Sequence, residues 1–297
     1  MKSTLETLLA PGRPVLADGA MGTLLTAQGL PAGTPPPLWN AEQPEKVQAV
    51  HRAYIEAGAQ IILTNSFVAS RVMLDRYGLG ERAAELNRAA AEIARAVADA
   101  ADRPVVVAGS IGPTGAMLEP YGTLSFADAQ AAFAEQAAAL ADGGVDVFWV
   151  ETMSDLEEAR AAVEGCREAA PDVPVVATMT FDTGGRTMMG TTPEQALEAL
   201  SGMGAAALGA TAATARTRSR PSSGRCAPPP LTRSWSPRPT PASRAWRAAR
   251  PSSTRRRRPW PATRSRCASW GRTSSAGVAA TRPRTSARWR RRCTRAE

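Results

Sequence analysis

The chain has 297 residues, 43% of them hydrophobic and 21% charged, and a formal net charge of +9, which is enough for one large domain or two modest ones. That charge is an average of two opposite parts: residues 1–210 hold 13 Lys and Arg against 26 Asp and Glu, whereas residues 211–297 hold 23 Arg, no Lys and a single acid, Glu297. The basic excess belongs to the tail alone, so it excludes nothing and implies nothing about the acidic front.

No apolar stretch approaches the roughly 18–20 residues of a membrane-spanning helix. The opening "MKSTLETLLAPGRPVLADGA" lacks the uninterrupted apolar segment of a secretory leader. A cytoplasmic protein with no membrane contact is the expectation. Cys166, Cys226, Cys267 and Cys293 form no CxxC pair, so no disulfide framework is implied.

In chain order, the apolar run "PVLAD" (14–18) reads as a strand and "QPEKVQAVHRAYIEAG" (43–58) as a helix with Val47, Val50, Tyr54 and Ile55 on one face. Next come a strand over 59–64, a helix over 80–100 and a strand over 103–109. A helix over 125–142, a strand over 145–151, a helix over 154–170 and a strand over 173–179 follow. A helix over 193–202 and an apolar run over 205–210 complete the pattern. Short β-branched runs alternating with helices predict βα units and a parallel sheet. Five units and the opening strand of a sixth suit either a doubly wound sheet or a (β/α)8 barrel. The glycines of "ADGAMGTLL" (17–25) do not have the G-x-G-x-x-G spacing of a dinucleotide-binding turn.

Polar residues gather at the predicted strand ends. Asp18 closes the first strand, Thr64 and Asn65 the second, Gly109 and Ser110 the third, Glu151 and Thr152 the fourth, and Met179 and Thr180 the fifth. In a barrel these ends surround the ligand-binding mouth. Two carboxylates, an amide and several hydroxyls there suit a small zwitterion, with the carboxylates facing its ammonium group. The milder alternatives are that Asp18 and Glu151 cap the loops after them and that Asn65 stabilises its own turn. His51, the only histidine, falls near a helical apolar stripe and reads as structural.

The segments "LADGAMGTLL" (16–25), "HRAYIEAGAQIILTNSF" (51–67), "GSIGPTG" (109–115), "DVFWVETMSDLEEA" (146–159) and "ATMTFDTGGRTMMG" (177–190) together resemble the homocysteine S-methyltransferase family. That family includes the homocysteine-binding modules of cobalamin-dependent methionine synthases and the betaine-dependent enzymes. The resemblance covers about residues 12–210 and implies a (β/α)8 TIM barrel that transfers a methyl group to the thiol of L-homocysteine, forming methionine. It places substrate-holding roles on Asp18 and Glu151. Backbone groups around Ala20, Met21 and Gly22 contribute, and Thr64, Asn65 and Thr152 line the same mouth. It also implies a Zn2+ held by three cysteine thiolates, which lowers the pKa of the substrate thiol. One thiolate comes from an "NCG" after the sixth strand and two from a "GGCCG"-like pair after the eighth. Methylcobalamin, betaine and S-methylmethionine are all donors in this family, and a separate cobalamin or folate module would be the partner in the first case.

The sequence departs from the family after Ala210. Thr211, Ala212 and Ala213 stand where "NCG" is expected, no adjacent cysteine pair occurs, and the neighbours of Cys226, Cys267 and Cys293 do not fit the motif. No metal ligand is assigned on this basis. The tail has no Asn, Gln, Asp, Lys, His, Ile, Met, Phe or Tyr, a palette unable to build strands and helices. GC-rich DNA translated out of frame yields such a composition. If a gene read "GANCGNGPD" as GGC GCC AAC TGC GGC AAC GGC CCG GAC, deleting one A gives G-A-T-A-A-T-A-R-T, the string from Gly209 to Thr217. Gly277-Val278-Ala279-Ala280 is likewise compatible with Gly-Gly-Cys-Cys in the restored frame.

The expected organisation is therefore an incomplete homocysteine-binding barrel over 1–210 and a disordered, out-of-frame tail over 211–297. As written, such a chain leaves strand edges open and is expected to be poorly soluble and catalytically impaired. The alternative is a barrel-fragment small-molecule binder with an Arg-rich nucleic-acid-binding tail, in which Trp235, Trp246, Trp260, Trp270 and Trp289 stack on bases. Arginines at this density adhere to phosphates non-specifically in any case.

Overall fold

A computed structural model describes residues 5–8, 14–181 and 184–212. The tail beyond them, with Cys226, Cys267 and Cys293, lies outside the described residues, and so do the expectations about its order. The chain runs through α1 (Leu5–Leu8), α2 (Met21–Ala27), α3 (Trp39–Glu42), α4 (Pro44–Glu56), β1 (Ile61–Leu63), α5 (Arg71–Asp75), α6 (Ala83–Asp99) and β2 (Val106–Ile111). Then follow α7 (Phe126–Asp142), β3 (Val147–Met153), α8 (Leu156–Ala169), β4 (Val175–Phe181), α9 (Pro193–Gly202) and β5 (Ala207–Ala212).

Local chemistry fixes the helix starts. The side chains of Ser125, Asp155 and Thr192 accept the backbone N–H groups of Asp128, Glu157 and Gln195 at the starts of α7, α8 and α9. Pro44 and Pro193 occupy the first helical positions of α4 and α9, where a missing N–H costs nothing. Thr192 and Gln195 close a full capping box.

All five strands are parallel and lie in sequential order, β1-β2-β3-β4-β5. A doubly wound sheet would reverse its order at a switch point. Sequential order with right-handed crossovers instead puts the helices that connect successive strands on one face and curls the other face inward. The period-two alternation sorts the residues accordingly. Ile61, Val106, Ala108, Val147, Trp149, Val176 and Ala207 form an inner cluster with Leu5 of α1. Ile62, Val107, Phe148, Val150, Val175 and Ala177 pack outward with apolar residues of α6, α7 and α8. The fold is the first part of a (β/α)8 barrel.

The predicted first strand, 14–18, is reduced to one bridge. Ala17 pairs with Ile61, while Leu16 O accepts from the N–H groups of Gln60 and Ile61 and Asp18 N–H donates to Ile61 O. The tight turn at Gly19 and immediate entry into α2 leave no length for a longer ladder. β1 ends at Leu63, one residue short of its predicted boundary, whereas β2 to β5 end two residues beyond theirs, because their ladders continue through residues that the apolar pattern does not mark. Among the described residues no helix is long and apolar enough to cross a membrane.

Candidate functional site

Asp18, Ser110, Glu151 and Thr178 occupy the C-terminal side of the sheet. Asp18 follows the Ala17 bridge, and its Oδ2 accepts the N–H of Leu63 at 2.9 Å. Gly19 leaves room for Tyr54 from α4: a Cβ there would lie 3.0 Å from the phenol oxygen. The Tyr54 hydroxyl donates to Ala20 O at 3.1 Å. The "DGA" turn is thereby pinned from the sheet side and the helix side.

Burial pushes the Asp18 carboxyl up to about 8; the Leu63 N–H opposes this and the charge of Glu151 adds to it. Burial also raises Glu151, against the hydroxyl of Ser110, which donates to Glu151 Oε1 at 2.6 Å. Tyr54 is raised by burial and then by the charge of Asp18. The electrostatics thus couple the two carboxyls across the mouth, and among the described residues no positive charge offsets either. A site of this kind favours a ligand that brings its own cation.

The remaining sequence-selected residues have varied roles. Thr64 is buried, and its Oγ1 accepts Ser110 N–H at 2.9 Å and lies 2.6 Å from Ser66 Oγ. Asn65 directs both amide hydrogens away from the mouth, to Pro36 O and Asn40 Oδ1, each at 2.8 Å. Asn40 in turn donates to Asn65 O and Leu86 O, both at 3.0 Å. The Asn65 amide therefore ties the loop after β1 to the 36–40 segment and to α6, rather than closing a local turn. Ala20 is the N-cap of α2, and Met21 and Gly22 form its first turn. Thr152 has a left-handed backbone (φ 65°), and its N–H donates to Thr178 Oγ1 at 3.2 Å.

Sequence reasoning placed Ser110 at the mouth without a role and missed Thr178 and Tyr54 as site residues. Ser110 and Thr178 share the parity of the inner-face residues Val106, Ala108 and Val176, so strict alternation carried forward from the apolar run would have found them. Tyr54 reads from sequence only as part of a helical apolar face.

Among the described residues no three His, Cys, Asp or Glu side chains gather to hold a metal ion. Thr211 and Ala212 end β5. Cys166 lies fully buried in α8, where burial pushes its thiol upward and keeps it neutral. The described residues do not fit a zinc site.

The family model for homocysteine S-methyltransferase matches residues 15–222. The methionine synthase of Mycobacterium tuberculosis is 35% identical over 217 residues, which is 68% of this chain and 18% of that protein. The Mycobacterium leprae methionine synthase is 34% identical over 225 residues, 71% of this chain and again 18% of its own length. This chain thus matches under a fifth of those relatives. The crystal structure of the Escherichia coli homocysteine methyltransferase MmuM in its metallated form superposes with a TM-score of 0.61 at 29% identity, covering 69% of this chain and 77% of that one. With a family match that includes Asp18, Glu151 and every strand of the sheet, the chain belongs to the homocysteine S-methyltransferase family.

Proposed function

We propose that residues 1–210 are the homocysteine-binding part of a methyltransferase that forms methionine, and that the chain as written is impaired in methyl transfer. The observation that carries the binding half is the Asp18–Glu151 pair, two electrostatically coupled carboxyls without a countercharge among the described residues. The α-ammonium of homocysteine supplies that charge. Backbone groups around Ala20, Met21 and Gly22 meet the ligand from the α2 side. Thr64 and Thr152 line the mouth, and Asn65 shapes its wall. A cytoplasmic setting goes with this reading.

The impairment rests on the tail. The strand-six end reads Thr211-Ala212-Ala213 in place of "NCG", and the Gly209–Thr217 string is what a one-base deletion would make of "GANCGNGPD" in the codons set out above. We assign residues 211–297 to a lost reading frame. Zn2+ and the donor (methylcobalamin, betaine or S-methylmethionine, the first delivered by a separate cobalamin module) belong to the intact form.

Calorimetric titration of the full chain with L-homocysteine tests the binding half. Asp18 ionises as pH rises through about 8, so affinity is expected to rise between pH 6 and 8. Asp18→Asn and Glu151→Gln should each weaken binding about tenfold or more, as expected for loss of a charged hydrogen-bond partner. Unchanged affinity in the double variant would sink the assignment. Sequencing the gene across codons 205–218 tests the lost frame, and an intact frame at the DNA level would end that part.

A further inference from the structure

We infer that Ser110 and Thr178 are positioning residues that aim the Glu151 carboxylate into the mouth. The inference rests on the reading of Glu151 as an ammonium-binding group.

Two observations carry it, one on each side of Glu151. On the β2 side, Ser110 Oγ donates to Glu151 Oε1 at 2.6 Å, and Ser110 is itself held by a ring of hydroxyls. Ser66 Oγ donates to Ser110 O at 2.7 Å. Its single hydrogen is then used, so in the 2.6 Å contact between Thr64 Oγ1 and Ser66 Oγ the donor is Thr64. Thr64 Oγ1 also accepts Ser110 N–H at 2.9 Å. Every hydrogen in the ring has one place to go, and the Ser110 hydroxyl hydrogen is left for Glu151. All three hydroxyl residues are buried, so no bulk water competes for these bonds.

On the β4 side, the β3–β4 register slips. Val150 pairs with Ala177 and Met153 with Met179, so Glu151 and Thr152 together face the single residue Thr178. This is a β-bulge, a device that re-aims side chains near sites. Val150 and Met153 both belong to the outer core, which leaves Glu151 and Thr152 between them on the mouth side. Thr152 adopts φ 65°, a conformation unusual for a β-branched residue. Its N–H finds an acceptor in Thr178 Oγ1 at 3.2 Å. The Thr178 hydroxyl lies 3.4 Å from Thr211 Oγ1, which completes a polar seam from β3 to β5. Thr178 holds the backbone of the bulge and Ser110 holds the carboxylate that the bulge presents.

The test uses the ligand-free full chain labelled with carboxyl-13C glutamate. The Glu151 resonance is identified by its loss in Glu151→Gln and followed through a pH titration. Ser110→Ala removes a bond that favours the ionised carboxylate and should raise the Glu151 midpoint by about one pH unit. Thr178→Val should also move it, and Thr178→Ser should restore it. Homocysteine affinity at pH 7 is expected to fall about tenfold in Ser110→Ala. A Glu151 midpoint identical in all variants overturns the inference. If the midpoints move as stated while the wild-type chain binds no homocysteine, positioning stands and the substrate reading fails.

Discussion

His51 is fully buried on α4 with neither ring nitrogen hydrogen-bonded, and burial lowers its pKa to about 4 from the usual 6.5. A depressed folded-state value means the unfolded chain takes up the proton first. The stability that His51 contributes is therefore present above pH 6.5 and is lost as pH falls from 6.5 to 4, a loss of about 3 kcal/mol. His51→Leu should flatten that part of the stability profile in urea denaturation at pH 7 and pH 4.5; an unaltered slope would assign it to the carboxyls. At this scale the sequence separated roles unevenly. The burial of a lone histidine near an apolar stripe was legible, because burial follows from helical periodicity. The destination of the Asn65 amide was not legible, because Pro36 and Asn40 reach it only through the fold.

Packing between α7 and α8 depends on small residues. Gly165 of α8 lies against α7 so closely that an added Cβ would be 2.7 Å from Gln130 O and 2.9 Å from Ala134 N. Both contacts are backbone atoms and cannot rotate away. Gly165→Ala should therefore destabilise by about 1–3 kcal/mol despite its better helix propensity. Gly202, in the last turn of α9, has nothing within 4 Å of an added Cβ. Gly202→Ala serves as the control and should be neutral or stabilising by up to about 1 kcal/mol. Urea denaturation of both variants checks the pair, and equal effects would show that helix propensity outweighs packing. The five longest helices were legible to within a few residues, with Ser125, Asp155, Thr192 and the two prolines announcing four of their starts, whereas α1, α2, α3 and α5, at most seven residues long, are too short for periodicity to mark. The ends of β2 to β5 were displaced by two residues because Ser110, Thr152, Thr180 and Thr211 continue ladders that apolar patterning does not see.

On the scale of the whole molecule, the sheet is part of an architecture that closes only with eight strands. Among the described residues, β5 is hydrogen-bonded along one side, to β4, so closure calls for further strands beyond β5. Restoring one base near codon 211 should give a chain that binds zinc and methylates homocysteine with one of methylcobalamin, betaine or S-methylmethionine, whereas the written chain is expected to do neither. Metal analysis and a methionine assay on the two proteins side by side decide this. A written chain as active as the restored one would overturn the lost-frame reading.

Composition and periodicity by themselves determined βα units and a parallel sheet, and the resemblance carried by the ordered motifs named the family, because each depends on residues near one another in the chain. Tertiary structure decided how the mouth is wired. The Asp18–Glu151 coupling joins residues 133 positions apart, and the bulge at Thr152 arises only when β3 meets β4. Local sequence specifies which residues are polar, but only the register between strands sets which hydroxyl faces which carboxylate.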